Sequence, residues 1–306
     1  MRALITGGFG FIGSHLTRHL LDKGWGVTVV DLEGAAPCVA LPMEKLTVIN
    51  GPYYAPEVIA QCSGEIDVCF HLASSVGPAL SNEKIVFDIE TNLIGTVSLL
   101  DALSPKQIRR FVYISSGGTV YGTVPSVPIS EDQHGFPTCS YGIVKKAVEY
   151  YLHLYSKIYG MRYNVIRLAN PYGVGQRLNY NQGAIANFIG KIINNVPLEI
   201  WGDGSVIRDY IYIDDVVRAI VAAAESDAEN EIFNIGSGVG LSLNQIVKIL
   251  RDDFQLPFEV KYQASRNVDV PVNILDITKA LAKLNWRPEV DVKSGIEATL
   301  TWARGQ

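Results

Sequence analysis

Tyr141 and Lys145 stand four residues apart in Ser140-Tyr141-Gly142-Ile143-Val144-Lys145, and a preceding stretch, Thr119-Val120-Tyr121-Gly122, adds a hydroxyl. If residues 141 to 157 are helical, the phenol and the amine share one helix face. An ammonium beside a phenol favours the phenolate, so a group of reference pKa about 10 becomes usable as a base nearer neutral pH. The chemistry on offer is removal of a proton from a hydroxyl. A Tyr-x-x-x-Lys spacing also arises on ordinary helix surfaces, so its meaning depends on what other elements bring to it.

The first of these is a nucleotide-binding unit. Arg2-Ala3-Leu4-Ile5-Thr6 is a short β-prone run, followed by Gly7-Gly8-Phe9-Gly10-Phe11-Ile12-Gly13 and a helical pattern through about Leu21. Glycines 7, 10 and 13 let the backbone approach a pyrophosphate held at the positive end of the helix. The next strand, Val27 to Val30, ends at Asp31, where a carboxylate accepts from an adenosine ribose and repels a 2′-phosphate. NAD is therefore expected over NADP. Two further buried-strand patterns, Val68 to Ala73 and Phe111 to Ser115, flank a helical pattern near Glu90 to Leu103. Such alternation implies a parallel, doubly wound α/β sheet with its ligands at the strand C-terminal ends. On that topology the glycine turn, Ala73-Ser74-Ser75, Ser115-Ser116 and Thr119 converge on one crevice. His71, in an apolar strand, reads as a hydrogen-bonded core histidine.

The wider composition narrows the partners. A chain of 306 residues, 48% hydrophobic, is long enough for about two domains. A net charge of −5 offers no basic footprint for nucleic acid, so a phosphorylated ligand needs a local cationic site. Neither a cleavable leader nor an apolar run of membrane-spanning length is evident, which makes the cytoplasm the expected compartment and a membrane partner unexpected. Cys38, Cys62, Cys69 and Cys139 lack metal-ligand spacing and read as buried free thiols, with no metal site.

With these pieces placed, nearly the whole chain resembles the extended short-chain dehydrogenase/reductases, in particular the NAD-dependent epimerase/dehydratase group that includes the UDP-galactose 4-epimerases. The matching stretches are Thr6 through Gly13, Asp31, His71-Leu72-Ala73, Asn92-Leu93-Ile94-Gly95-Thr96, Ser115 through Gly122, and Tyr141-x-x-x-Lys145. Later stretches are Arg167 through Gly173, Gly202-Asp203-Gly204, Arg208 through Asp215, and Asn285-Trp286-Arg287-Pro288. The resemblance implies a Rossmann-type sheet with a smaller, interleaved substrate domain. Residues 1–168 plus about 208–235 would bind NAD, and about 169–207 plus 236–306 would bind a nucleotide-diphosphate sugar, UDP-linked by the same resemblance.

In that scheme Gly7, Gly10, Phe11, Ile12, Gly13, Asp31, Leu72, Ala73, Ser74, Ser115, Tyr141 and Lys145 meet the cofactor. Tyr141 acts as base and Lys145 as its modulator, while Asn92 steadies the sheet. Asn170, Arg208, Arg266 and Asp269 hold the nucleotide diphosphate, with Arg177 a looser candidate at the sugar end; guanidinium forks suit that task. A homodimer is implied, packing the helices near 90–103 and 141–157 into a four-helix bundle, with Tyr151, Leu152 and Tyr155 on that face or in the core.

Two departures stand out. Gly117 replaces the family's usual catalytic hydroxyl, leaving Thr119, ahead of Ser116, to hydrogen-bond the sugar directly or through water in the space a missing side chain leaves. After the strand Leu46 to Ile49 the adenine-facing Gly-Asp becomes Asn50-Gly51-Pro52. The Ala/Pro-rich segment from about Gly34 to Pro42 reads as a loop. Asp214-Asp215 are expected to cap the helix after Tyr210 to Ile213. Gly118 and Thr119 occupy positions where dehydratase and decarboxylase relatives carry acids, which favours 4-epimerisation through a transient 4-keto sugar. A nucleotide 4-keto-sugar reductase and a non-catalytic NAD or nucleotide-sugar binder are the alternatives.

Overall fold

The computed structural model describes residues 1–62, 65–106, 108–178, 183–264 and 270–306. Six strands appear in the first 168 residues: β1 (Arg2–Thr6), β2 (Gly26–Asp31), β3 (Leu46–Asn50), β4 (Val68–His71), β5 (Arg110–Ser116) and β6 (Tyr163–Leu168). Later come β7 (Asn170–Tyr172), β8 (Leu198–Trp201), β9 (Ile207–Tyr212), β10 (Glu231–Ile235), β11 (Gly240–Ser242), β12 (Val260–Gln263) and β13 (Val272–Asn273). The large sheet is seven-stranded in the order β10-β6-β5-β4-β1-β2-β3, every pair parallel. This is the doubly wound arrangement expected from the alternating pattern, extended by one strand.

Both faces of the sheet are covered, which is why β4 and β6 are buried along their whole length rather than alternating. Adjacent residues feed opposite cores: Ile5, Val29, Phe70, Val112 and Ile166 face one, Leu4, Val30, Cys69, Phe111 and Val165 the other. Helix α1 (Phe11–Asp22) and the later Ile213–Glu225 helix pack side by side. On the opposite face lies a long helical stretch, Ile85–Asp88, Ile89–Ile94 in π geometry and Gly95–Leu103, beside α2 (Ser140–Tyr159). Gly160, at φ +68°, closes α2 in the left-handed conformation that glycine adopts without strain.

A smaller sheet forms around β9, which pairs with β7 and β13 in parallel and with β11 antiparallel. The strand at Arg208 thus joins the small sheet, because β7 follows directly on β6 and offers it an edge; the Ile213–Glu225 helix and β10 carry the chain back to the large sheet. Asp214 and Asp215 lie in the first turn of that helix without capping it. Asp215 is buried instead, accepting from the backbone N–H groups of Glu289 and Val290 at 3.1 and 3.0 Å and tying down the Asn285-Trp286-Arg287-Pro288 segment. Among the described residues no helix is long and apolar enough to cross a membrane.

Candidate active site

The C-terminal ends of β1, β4 and β5 open onto a cleft of about 880 Å³. Phe9 to Gly13 form one wall, Leu72 and Ser74 the floor beside them, and Ser115, Ser116, Gly118, Thr119, Tyr141 and Lys145 the centre. Asn170, Gln176, Arg177 and Arg208 form the far end. Lys145, Arg177 and Arg208 make the lining cationic, and among the described lining residues there is no carboxylate or imidazole.

The glycine wall is a steric necessity. Gly7 sits at φ +72°, and a Cβ there would lie 2.8 Å from the Ala73 nitrogen; one at Gly13 would lie 2.1 Å from the Gly7 carbonyl. Helix α1 starts at Gly10 with no side-chain cap and no acidic residue in its first turn. Its leading N–H groups therefore lack intrahelical partners and face the cleft, the chemistry that receives a pyrophosphate. The residues fit a dinucleotide. Asp31, at the end of β2, accepts from the Phe9 N–H at 2.8 Å and from Leu32 N–H at 2.8 Å, so it braces the glycine turn; Ala73 likewise lies behind the turn, outside the lining.

His71 is the expected core histidine. Its ring bridges the hydroxyls of Thr6 at 2.6 Å and Thr96 at 2.9 Å, and burial, with Lys145 nearby, lowers its pKa to about 3. Asn92 accepts from Ser75 N–H at 2.9 Å and donates to Asp88 at 2.8 Å, tying its helical stretch to the loop that follows β4. Asp88 also accepts from Ser140 Oγ at 2.7 Å, and Asn82 from Ser140 N–H at 2.9 Å. These two side chains fix the start of α2, immediately before Tyr141. Asp88 precedes Asn92 by one helical turn, a spacing that would have pointed to it.

Tyr141 and Lys145 share a face of α2, as the four-residue spacing predicts, but their electrostatics differ from expectation. Lys145 Nζ lies 5.4 Å from the Tyr141 ring centroid and donates to the Ile114 carbonyl at 2.8 Å, so the ammonium is aimed at β5 rather than at the phenol oxygen. Desolvation, reinforced by Cys139 and Asp88, raises the Tyr141 pKa instead of lowering it. Burial lowers Lys145 to about 8, against the pull of Asp88 and Glu149.

Beneath the centre runs a polar network that sequence reasoning missed. Ser115 Oγ donates to Glu149 at 2.6 Å, and Glu149 takes a two-pronged contact from Arg167 at 3.0 and 2.6 Å. Arg167 continues to the Tyr121 hydroxyl at 2.9 Å, which donates to Asn234 at 2.6 Å. Glu149 follows Lys145 by four residues on the same helix face, and that was its available signal.

The hydroxyl candidates separate. Thr119 Oγ1 is buried without a hydrogen-bond partner, whereas Ser116 is half-buried along the cleft. Gly117 leaves no open space: a Cβ there would lie 2.5 Å from Leu275 Cδ1 and 3.1 Å from the Arg167 carbonyl. Gly142 matters for the same loop, since a Cβ there would come within 2.9 Å of the Thr119 carbonyl. Asn170 donates to the Asp209 carbonyl at 3.0 Å, and Arg208 donates to the Val270 carbonyl at 2.7 Å, both on the cleft wall. Arg177 is exposed at the rim, and Arg266 and Asp269 lie outside the described residues. The 34–42 segment is a loop whose Ala36 and Cys38 enter the cleft; Cys38 N–H donates to Ser14 Oγ at 3.1 Å. Cys62 and Cys69 are buried, while Cys38 and Cys139 are half-buried in the lining.

Comparison with known proteins agrees with this geometry. A UDP-glucose 4-epimerase of Mycolicibacterium smegmatis is 34% identical over 315 residues, covering 100% of this chain and 99% of that one. A dTDP-4-dehydro-6-deoxyglucose reductase of Escherichia coli is 32% identical over 302 residues, covering 96% and 95%. The crystal structure of a Thermotoga maritima UDP-glucose 4-epimerase with UDP-glucose superposes with a TM-score of 0.95 at 36% identity, over 100% of this chain and 99% of that one. Residues 3–236 match the NAD-dependent epimerase/dehydratase family, and the chain belongs to it.

Proposed function

We propose that the protein is an NAD-dependent nucleotide-sugar 4-epimerase acting on a UDP-linked hexose, N-acetylhexosamine or hexuronate through a transient 4-keto sugar. The observation that carries this reading is the composition of the cleft at the strand ends. A helix N-terminus, a Tyr/Lys pair with its lysine buried, and a guanidinium end share it, and among the described lining residues there is no carboxylate to drive elimination. NAD, when bound along Gly7–Gly13, Leu72 and Ser74, supplies a reversible hydride acceptor and a cationic ring.

Tyr141 takes the proton from the sugar hydroxyl and returns it. Because desolvation holds its proton in the free protein, this role requires positive charge gathered at the phenol when the cleft fills, and Lys145 is the cation on its helix face. Ser116 and Thr119, both on the cleft lining, supply the hydroxyls that orient the sugar oxygen, and Thr119 Oγ1 has no partner within the protein. Asn170 and Arg208, joined by Arg266 and Asp269, take the diphosphate and nucleoside. The large sheet, with the Ile213–Glu225 helix and β10, then serves the cofactor, while β9 with Arg208 stands with the small sheet on the substrate side.

A second copy completes the assembly. Val86, Phe87 and Ile94 on one helical stretch and Tyr150, Leu154 and Ile158 on α2 are exposed side by side, with Tyr151 also exposed, while Leu152 and Tyr155 are core. Pairing these faces gives the four-helix bundle of a homodimer, and the chain works in the cytoplasm. The alternative reading, a 4-keto-sugar reductase, is favoured by the Escherichia coli relative's activity. Incubation with UDP-glucose, UDP-N-acetylglucosamine and UDP-glucuronate, with separation of the products, tests the proposal. Conversion of one of them without net NADH oxidation supports it; conversion of none, with NADH consumed on a 4-keto sugar, reverses it.

A further inference from the structure

Residues 270 to 276 touch both ends of the reaction site in seven residues. At the first end, the Val270 carbonyl accepts from Arg208 Nη1 at 2.7 Å, the Pro271 carbonyl accepts from Ile207 N–H at 2.9 Å, and Asn273 is paired with Arg208 in the β13–β9 ladder. At the other end, Asn273 Nδ2 donates to the Gly117 carbonyl at 3.0 Å, and the Leu275 side chain fills the ground above Gly117. Leu275 is fully buried and Asn273 is 1% exposed. Leu275 is bonded on both sides. Its N–H donates to Asp209 Oδ2 at 3.3 Å, and its neighbours Ile274 and Asp276 exchange backbone hydrogen bonds with Ile129 at 2.8 and 2.9 Å.

Asp209 makes the first end a rigid mount. Its buried carboxylate also accepts from Ser237 N–H at 2.7 Å, Ser237 Oγ at 2.7 Å and Gly238 N–H at 3.1 Å, so β9 cannot shift without moving these partners. Gly117 makes the second end a tight seat. Any side chain there would strike Leu275 on one side and the Arg167 carbonyl on the other, so the loop 116–119 is in register with this segment only while residue 117 is glycine. Packed interiors transmit such displacements rather than absorb them.

We infer that residues 270–276 are a positioning strap that carries occupancy of Arg208 by a nucleotide diphosphate to the loop 116–119, with Asn273 and Leu275 as positioning residues for Ser116. This rests on the proposed placement of the diphosphate at Arg208. Misplacing a reacting group by about 1 Å costs on the order of 100-fold, so a loosened seat shows in kcat before it shows in nucleotide affinity.

The test compares wild type with Leu275→Ala, Gly117→Ala, the double variant, and Leu250→Ala, a buried leucine away from the loop. Amide hydrogen exchange is followed with and without UDP, and kcat, KM and Tm with the turned-over nucleotide sugar. In wild type UDP slows exchange at both 207–212 and 116–119. In Leu275→Ala it slows exchange at 207–212 alone, and kcat falls at least about tenfold with KM within about threefold. Leu250→Ala, for a comparable loss of Tm, keeps kcat within about twofold. Gly117→Ala lowers kcat, and adding Leu275→Ala restores part of it. Equal protection of 116–119 by UDP in wild type and Leu275→Ala overturns the strap, as does a kcat loss in Leu250→Ala matching that of Leu275→Ala. If Leu275→Ala does not fold, Leu275→Val and Gly117→Ala decide by the same exchange pattern. Should wild type turn over none of the sugars, the epimerase reading fails alone, and the exchange measurements still judge the strap. Absence of any protection by UDP at 207–212 overturns both the diphosphate placement and the strap.

Discussion

The two ends of the cleft are built in opposite ways. The dinucleotide end is made by consecutive residues: β1, the glycine turn and the first turn of α1 are a single unit, closed by Asp31 some twenty positions on. The sugar end is collected from β5, α2, β7, β9 and the 270–276 strap, which meet only after the chain has folded. Local construction leaves no room for a side chain at Gly7 or Gly13 but depends on few neighbours. Distributed construction tolerates change at each point, and fails by misalignment.

The sharpest way to break this contrast is at Gly13. Gly13→Ala places a Cβ against the Gly7 carbonyl, so the variant is expected to lose dinucleotide binding outright, read as absence of cofactor in the purified protein. Tyr141→Phe acts at the distributed end without steric insult. Retained cofactor and a drop in kcat of roughly 100- to 10,000-fold are expected, checked by steady-state kinetics.

Glu149→Gln probes what lies under that end. Arg167 and Glu149 are 2% and 3% exposed, and breaking one partner of a buried pair costs about 3–5 kcal/mol. Denaturant unfolding should therefore show a large loss of stability, with the loop at Ser115 loosened, while a matched change in the exposed Arg18–Asp22 pair stays below about 1 kcal/mol. Leu154→Glu places a charge on the apolar face of α2 and, on the proposed dimer, is expected to release monomers in light scattering. The smallest effect concerns Lys145. Its amine titrates near 8 when folded and 10.5 when unfolded, so over that window the unfolded chain holds the extra proton and stability rises with pH. Lys145→Met lacks this slope, and the Tm difference between the two proteins should move in favour of wild type from about pH 8 to about pH 10.

The same contrast explains what the sequence discloses. The glycine turn, Asp31, His71 and the Tyr141/Lys145 face follow from spacing within a few turns or strands, and the parallel sheet follows from alternating apolar runs. Glu149 and Asp88 carried a one-turn spacing signal as well. Leu275 did not: nothing in a leucine about 160 positions away announces that it seats on Gly117, because that contact exists only through the β13–β9 pairing. The Tyr141 pKa departs from the helix-spacing expectation for a related reason. Helix spacing fixes which face Lys145 occupies, while the Ile114 carbonyl, a tertiary partner, decides where its ammonium points.

The most direct test is isotopic. Nucleotide sugars deuterated at carbon 4 are incubated with the protein, and the product is examined by NMR. The account predicts inversion at carbon 4 with the deuterium retained there and no net change in NADH. Loss of the label to solvent, or inversion that proceeds equally well in Tyr141→Phe, would contradict it.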